Sequence, residues 1–168
     1  KIEAGEQELE FEGVVLNEAI GDAISMVQPQ ANRNRIIVRS SLDSKLPSVV
    51  ADLRSIKQIV LNLLTNAIRF TRSGGQVVVT TNYTATGSVT LRISDTGIGM
   101  TGKQIETALR PFQQIANEAG VGGDGTGLGL PLTKALVEAN RAEFDVASEP
   151  GRGTSIEITF PPARVLAD

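Results

Sequence analysis

At 168 residues, with 40% hydrophobic and 21% charged residues, the chain is long enough for one domain with a real core and too short for a second of ordinary size. A net charge of −3 supplies no overall positive field, so no nucleic-acid partner is expected. Cysteine and histidine are both absent, which excludes disulfides, zinc enzymes and Ser–His–Asp hydrolases. Catalysis must then rest on carboxylates, amides, hydroxyls, guanidinium groups and backbone N–H groups.

No apolar run approaches the roughly 20 residues that cross a bilayer, and the opening KIEAGEQELE is too polar for a secretory signal. A cytoplasmic location is the expectation, with membrane attachment of a larger parent protein left open.

Residues 1–8 read as the ragged end of an upstream helix and its linker. Leu9–Val15 alternates like an edge strand. Leu16–Ala31 places Leu16, Ala19, Ile20, Ala23, Ile24 and Val27 on one helical face, with Pro29 fraying its end. Arg35–Ser41 reads as a strand. Asp52 is a suitable N-cap for a helix to about Phe70, whose apolar stripe is Leu53, Ile56, Ile59, Val60, Leu63 and Ala67. Ser73-Gly74-Gly75 stops it.

Gln76–Tyr83 and Ser88–Ser94 form a predicted hairpin. Lys103–Leu109 allows about two helical turns before Pro111. Leu128–Asn140 has helical spacing, and Glu143–Ser148 and Thr154–Phe160 read as strands joined by the turn Glu149–Gly153. The sum is an α/β two-layer sandwich, a mixed sheet of five or more strands against about three helices, over residues 9–162. Residues 163–168 are left as a tail.

Three stretches could carry chemistry. On the helix ending at Phe70, Asn62, Asn66 and Arg69 lie within about 60° of one another, with Gln58 one turn back, beside the apolar stripe. An Asn carbonyl is a hard oxygen ligand suited to Mg²⁺, which makes Asn66 the candidate metal ligand; two solvated asparagines are the alternative. Next, Ile93-Ser94-Asp95-Thr96-Gly97-Ile98-Gly99-Met100 puts an acid at a strand end before a tight glycine turn. Asp95 there can accept an exocyclic amine of a base while the glycines remove blocking Cβ atoms, although Asp-Thr-Gly is also an ordinary turn.

Third, nine of the 17 glycines fall between Gly97 and Gly129. Gly123-Asp-Gly125-Thr126-Gly127-Leu128-Gly129-Leu130 leads into a helix, where converging N–H groups and the helix dipole favour a phosphate. Gln113–Asp124, small, polar and glycine-rich, suits a lid. The stretch Gly97–Gly102 also fits GxGxxG, and Gly97–Gln104 nearly fits a P-loop. Both patterns require a long helix at the last glycine, and the P-loop version has Gln104 where Ser or Thr is needed. Gly151-Arg-Gly-Thr154, ahead of the last strand, could place Thr154 near a base, or near Asp95 through water.

In order, these segments are Asn-x₃-Asn-Ala-x-Arg-Phe, Asp-x-Gly-x-Gly-Met, Pro-Phe, Gly-x-Gly-Leu-Gly-Leu and Gly-x-Gly-Thr. The series resembles the N, G1, F, G2 and G3 boxes of sensor histidine kinases, within the superfamily of Bergerat-fold ATPases that includes gyrase, Hsp90 and MutL. The resemblance implies ATP and Mg²⁺ as ligands, with Asn66 on the metal, Asn62 in the metal and phosphate surroundings, and Arg69 on the phosphates. It assigns Asp95, Gly97, Ile98 and Gly99 to adenine. Gly125, Thr126, Gly127, Leu128, Gly129 and Leu130 go to the lid hinge and phosphates, and Thr154 to base-side hydrogen bonds.

Hydrolytic relatives carry a general-base Glu where this chain has Asn62. The implied reaction is therefore transfer of the γ-phosphate to a histidine on a separate dimerisation and phosphoacceptor domain, then to a response regulator receiver domain. The parent protein would be a homodimer and this part of it a monomer. A pseudokinase that binds a regulator, or an ATPase of the gyrase type, are the alternatives. Pro131-Leu-Thr-Lys134 and Asn140-Arg-Ala142 depart from the commoner pattern, which has a Gly-Gly pair after the helix; they look like the PleC, DivJ and PdhS group of alphaproteobacterial cell-cycle kinases.

Overall fold

A computed structural model describes residues 8–110 and 129–167. The elements run β1 (Phe11–Val14), α1 (Leu16–Arg33), β2 (Ile37–Ser41), β3 (Ser48–Asp52), α2 (Leu53–Arg69), β4 (Gln76–Tyr83), β5 (Val89–Asp95), α3 (Gly102–Ala108), α4 (Gly129–Ala139), β6 (Glu143–Glu149), β7 (Gly153–Phe160), a 3₁₀ turn at Pro162–Arg164 and β8 (Val165–Leu166). The expected upstream helix end at 1–7 lies outside the described residues.

The larger sheet has the order β2-β4-β5-β7-β6, with β2 parallel to β4 and the other pairs antiparallel. Strict alternation tells which face is covered. Val77, Val79 and Thr81 on β4, Val89, Leu91 and Ile93 on β5, and Ile156, Ile158 and Phe160 on β7 are all buried, while their neighbours are not. Helices α1, α2 and α4 supply the second layer, with α2 packed between the other two. Ile56, Ile59, Val60, Leu63, Leu64 and Ile68 of α2 are each 2% exposed or less. At about 1.5–3 kcal/mol per buried aliphatic side chain, this helix is the axle of the core.

The structure adds two strands to the sequence reading. Ser48–Asp52, which contains buried Val49 and Ala51, pairs with β1 on one side and β8 on the other. The N-terminal strand thus belongs to a separate three-stranded sheet, and Val165–Leu166 of the expected tail completes it. Pro29 does not end α1, which continues to Arg33. Ser25 and Pro29 are both exposed, which puts the Ser25 carbonyl deprived of its helical partner on the solvent side, and Ala31 stays fully buried two residues later.

Helices α1 and α4 stop by the same device. The Asn34 and Asn140 side-chain amides donate back to the Gln30 and Leu136 carbonyls, each at 2.8 Å. Arg35 and Arg141 follow with φ of 56° and 65°. The N–H groups of Ile36 and Ala142 then reach the Ala31 and Val137 carbonyls at 2.9 and 3.1 Å, closing a Schellman turn with arginine in the usual glycine place.

Candidate functional site

The site is assembled where the end of β5 meets the end of α2. Asp95 is the last residue of β5, and one of its oxygens, Oδ1, accepts the N–H groups of Gly97 at 2.8 Å and Thr154 at 3.2 Å. Among the described residues Oδ2 has no donor and is available to a ligand. Burial pushes the Asp95 carboxyl above its ordinary value, and the two N–H groups pull against that shift. The acid is held in place yet incompletely satisfied, which suits recognition of an amine donor.

Close backbone approaches make this geometry possible. Ile98 N–H donates to the Phe70 carbonyl at 3.2 Å, tying the loop after Asp95 to the C-cap of α2, and Gly151 N–H donates to the Ile98 carbonyl at 2.7 Å. Gly97 and Gly99 are buried, and a Cβ on Gly97 would strike the Phe70 carbonyl. At Gly99, with φ +70°, it would strike the Glu149 carbonyl, and at Gly153, with φ +96°, the Asp95 carbonyl. The glycines are therefore where three backbone segments stack, and the Asp95 carboxylate is aimed by that stack.

Asn66 lies on α2 one turn before Phe70, whose N–H its carbonyl accepts, and Arg69 is the last residue of the helix. Asn62, Asn66 and Arg69 are half-buried, and Gln58 is exposed. Gln58 donates to Asn62 Oδ1 at 2.6 Å, so the polar row is joined along its own helix. Asn62 Nδ2 faces Thr133 Oγ1 at 3.4 Å, which brings the first turns of α4 beside α2. Gly129 and Leu130 are the first two residues of α4. Gly125, Thr126, Gly127 and Leu128 lie outside the described residues, as do the proposed lid and Pro111-Phe112.

Thr154 meets Asp95 through a contact that the sequence reading did not give. Its backbone N–H donates directly to Asp95 Oδ1 at 3.2 Å, with β7 running alongside β5. Its hydroxyl turns to Ser148, which sequence reasoning missed. Ser148 Oγ donates to the Gly153 carbonyl at 2.9 Å and receives Met100 N–H at 2.8 Å, and it lies 2.8 Å from Thr154 Oγ1. With its one proton on Gly153, Ser148 must accept from Thr154. One hydroxyl thus clamps the glycine loop to the β6–β7 turn. The signal was in the register, since a hairpin centred on Gly151 sets Ser148 opposite Thr154.

At the far end of α2 the expected N-cap has partners that sequence reasoning missed. Asp52 caps the helix, its Oδ2 accepting the Ser55 N–H at 2.8 Å and hydroxyl at 2.7 Å and its Oδ1 the Glu10 N–H at 3.1 Å. Its own N–H donates to Asn140 Oδ1 at 2.7 Å, and Asn140 is fully buried. Burial raises the Asp52 carboxyl, but the bonds from Ser55 and Glu10 outweigh it and hold the group below its ordinary value. This junction joins the N-terminal strand, the start of α2 and the end of α4.

Comparison with known proteins places the arrangement. Residues 51–164 match the family of histidine kinase-, DNA gyrase B- and HSP90-like ATPases. The chain belongs to that family. Over its whole length it is 58% identical to the cell-division control histidine kinase PdhS of Brucella canis, and it spans 17% of that relative. A crystal structure of full-length ShkA in complex with AMPPNP superposes with TM-score 0.79, covering 96% of this chain and 33% of that one at 27% identity. The nucleotide-free catalytic domain of histidine kinase ThkA matches at TM-score 0.78 over 92% of this chain and 99% of that one, at 24% identity.

The chain is thus a histidine-kinase-type ATP-binding domain. No described helix is long and apolar enough to cross a membrane. Among the described residues no group of three or more Asp, Glu, His or Cys side chains could hold a metal by itself. The Asn66 amide oxygen, half-buried on α2, is a neutral hard donor of the kind that fits Mg²⁺, an ion that takes few protein ligands and fills its other positions with oxygens from elsewhere.

Proposed function

We propose that this chain binds Mg·ATP as the catalytic domain of a two-component sensor kinase, and that the parent protein uses it to phosphorylate a histidine on its own dimerisation and phosphoacceptor domain. That histidine would pass the phosphoryl group to an aspartate of a response regulator receiver domain, and the parent would act as a homodimer. The observation that carries the reading is the Asp95 carboxylate, anchored through one oxygen and open at the other, next to the asparagine-bearing end of α2. The 58% identity to a histidine kinase over the whole chain supports the kinase branch of the family.

In this scheme Asp95 Oδ2 accepts the adenine amino group, and Gly97 and Gly99 leave room for the flat base. Asn66 would hold Mg²⁺, which supplies charge neutralisation at the phosphates when bound. Arg69, half-buried at the end of α2, adds positive charge on the same side. Gly125, Thr126, Gly127, Leu128, Gly129 and Leu130 would offer N–H groups to the phosphates at the start of α4. Asn62 is no proton acceptor at neutral pH, so water is not activated, and positioning and charge stabilisation carry the transfer.

The test is affinity for an ATP analogue with and without Mg²⁺. Asn66→Ala is expected to remove the metal dependence while retaining adenosine binding, and Asp95→Ala to weaken adenosine and ATP alike. In the full-length protein, ATP should yield phosphohistidine; steady phosphate release without it would transfer the assignment to the hydrolytic branch.

A further inference from the structure

The polar row on α2 continues onto α4 through Thr133, to which the site as described gives no part. Thr133 is 1% exposed, and its hydroxyl donates to the Gly129 carbonyl at 2.6 Å. A hydroxyl has one proton, so the oxygen that faces Asn62 can only accept. Asn62 must therefore turn its NH₂ toward Thr133, since the reverse orientation would set two acceptors against each other. The Asn62 carbonyl then points back along α2, where Gln58 Nε2 donates to it at 2.6 Å. Gln58 alone could not choose between the two amide orientations, because its own amide can reverse; the Thr133 hydroxyl decides.

We propose that Thr133 is a positioning residue that holds Asn62 as a donor toward the start of α4, so that the second Nδ2 proton meets the triphosphate. The inference rests on the nucleotide site described above. Its components all lie where the glycine-rich run enters α4: Gly129 is the first residue of the helix, and its carbonyl orients Thr133, which orients Asn62. The Asn62 carbonyl, engaged by Gln58, is withheld from the metal, leaving Asn66 to supply the oxygen ligand. The 3.4 Å separation makes this a weak bond that sets direction more than it adds energy.

Thr133→Val keeps shape and burial and deletes the acceptor, and Thr133→Ser restores it. Affinities of the full-length protein for AMPPNP and for adenosine, both with Mg²⁺, are the measurement, with thermal unfolding alongside. Thr133→Val is expected to weaken AMPPNP by about three- to tenfold, the worth of one ordinary hydrogen bond. Adenosine affinity and unfolding temperature should stay at the parent values, and Thr133→Ser should recover AMPPNP binding. Equal AMPPNP affinity in Thr133→Val, a parallel loss of adenosine binding, or failure of serine to rescue would each overturn the proposal. A parent protein that binds neither ligand would instead overturn the nucleotide site itself.

Discussion

Gly153→Ala and Gly151→Ala place the same methyl group two residues apart in one turn and should differ sharply. Both positions have positive φ, +80° at Gly151 and +96° at Gly153, so each substitution carries backbone strain of about 1–3 kcal/mol. At Gly151 the added Cβ meets nothing within 4 Å. At Gly153 it strikes the Asp95 carbonyl and comes within 3.1 Å of the Gly97 nitrogen, both backbone atoms that cannot swing aside. Relief requires β7 to separate from β5, adding overpacking of about 1–3 kcal/mol and pulling the Thr154 N–H from the Asp95 carboxylate. Urea unfolding should therefore show Gly151→Ala destabilised by about 1–3 kcal/mol and Gly153→Ala by about 2–6. Only the second should also weaken adenosine binding. Equal losses of stability in the two variants would refute the close stacking at Asp95.

Two further outcomes follow from the same physics. Because burial raises the Asp95 carboxyl, its protonation favours the folded state: its contribution to folding rises as the pH falls through the raised value, whereas adenine recognition by the carboxylate is lost over the same interval. An affinity titration should accordingly show adenosine binding falling at higher pH than an ordinary aspartate would produce, and Asp95→Asn should erase that dependence. Arg35→Gly and Arg141→Gly should each stabilise the protein by about 0.5–1 kcal/mol, the left-handed penalty of a side chain less the greater chain entropy of glycine, as read from the midpoint of urea unfolding. Destabilisation by both would mean that the arginine side chains make compensating contacts.

Most of the architecture was legible because each major element has a single periodic pattern. The stripe on α2 and the alternation in β4, β5 and β7 needed no tertiary information. What was lost depended on partners distant in sequence. Ser48–Asp52 is short and gains its identity from strands distant in sequence, as in Asp52 opposite Phe11, 41 residues upstream, and Val49 opposite Val165, 116 downstream. Pro29 reads as fraying the end of its helix unless one knows that the carbonyl it frees lies on the solvent side.

The site divides in the same way. The polar row of Asn62, Asn66 and Arg69 and the Asp95 turn follow from helical angles and turn chemistry. That the Thr154 N–H reaches Asp95, that Ser148 orders the Thr154 hydroxyl and that Thr133 faces Asn62 depend on which strands and helices lie side by side. Asn140 is instructive. The sequence marks it only as a departure after α4, and the structure makes it the fully buried partner of the Asp52 N–H.

That partnership has a mechanical consequence. The start of α2 and the end of α4 are pinned together in a dry joint, so the two helices run antiparallel from it, and Gly129 sits at the opposite end of an arm of 11 residues. At 1.5 Å per residue the arm is about 16 Å long, and a pivot of about 5° at the pin swings the tip by roughly 1.4 Å. Displacements of that size decide whether a hydrogen bond exists. The Glu10 N–H, one residue before β1, holds the same carboxylate, so the N-terminal strand has its grip on the fulcrum.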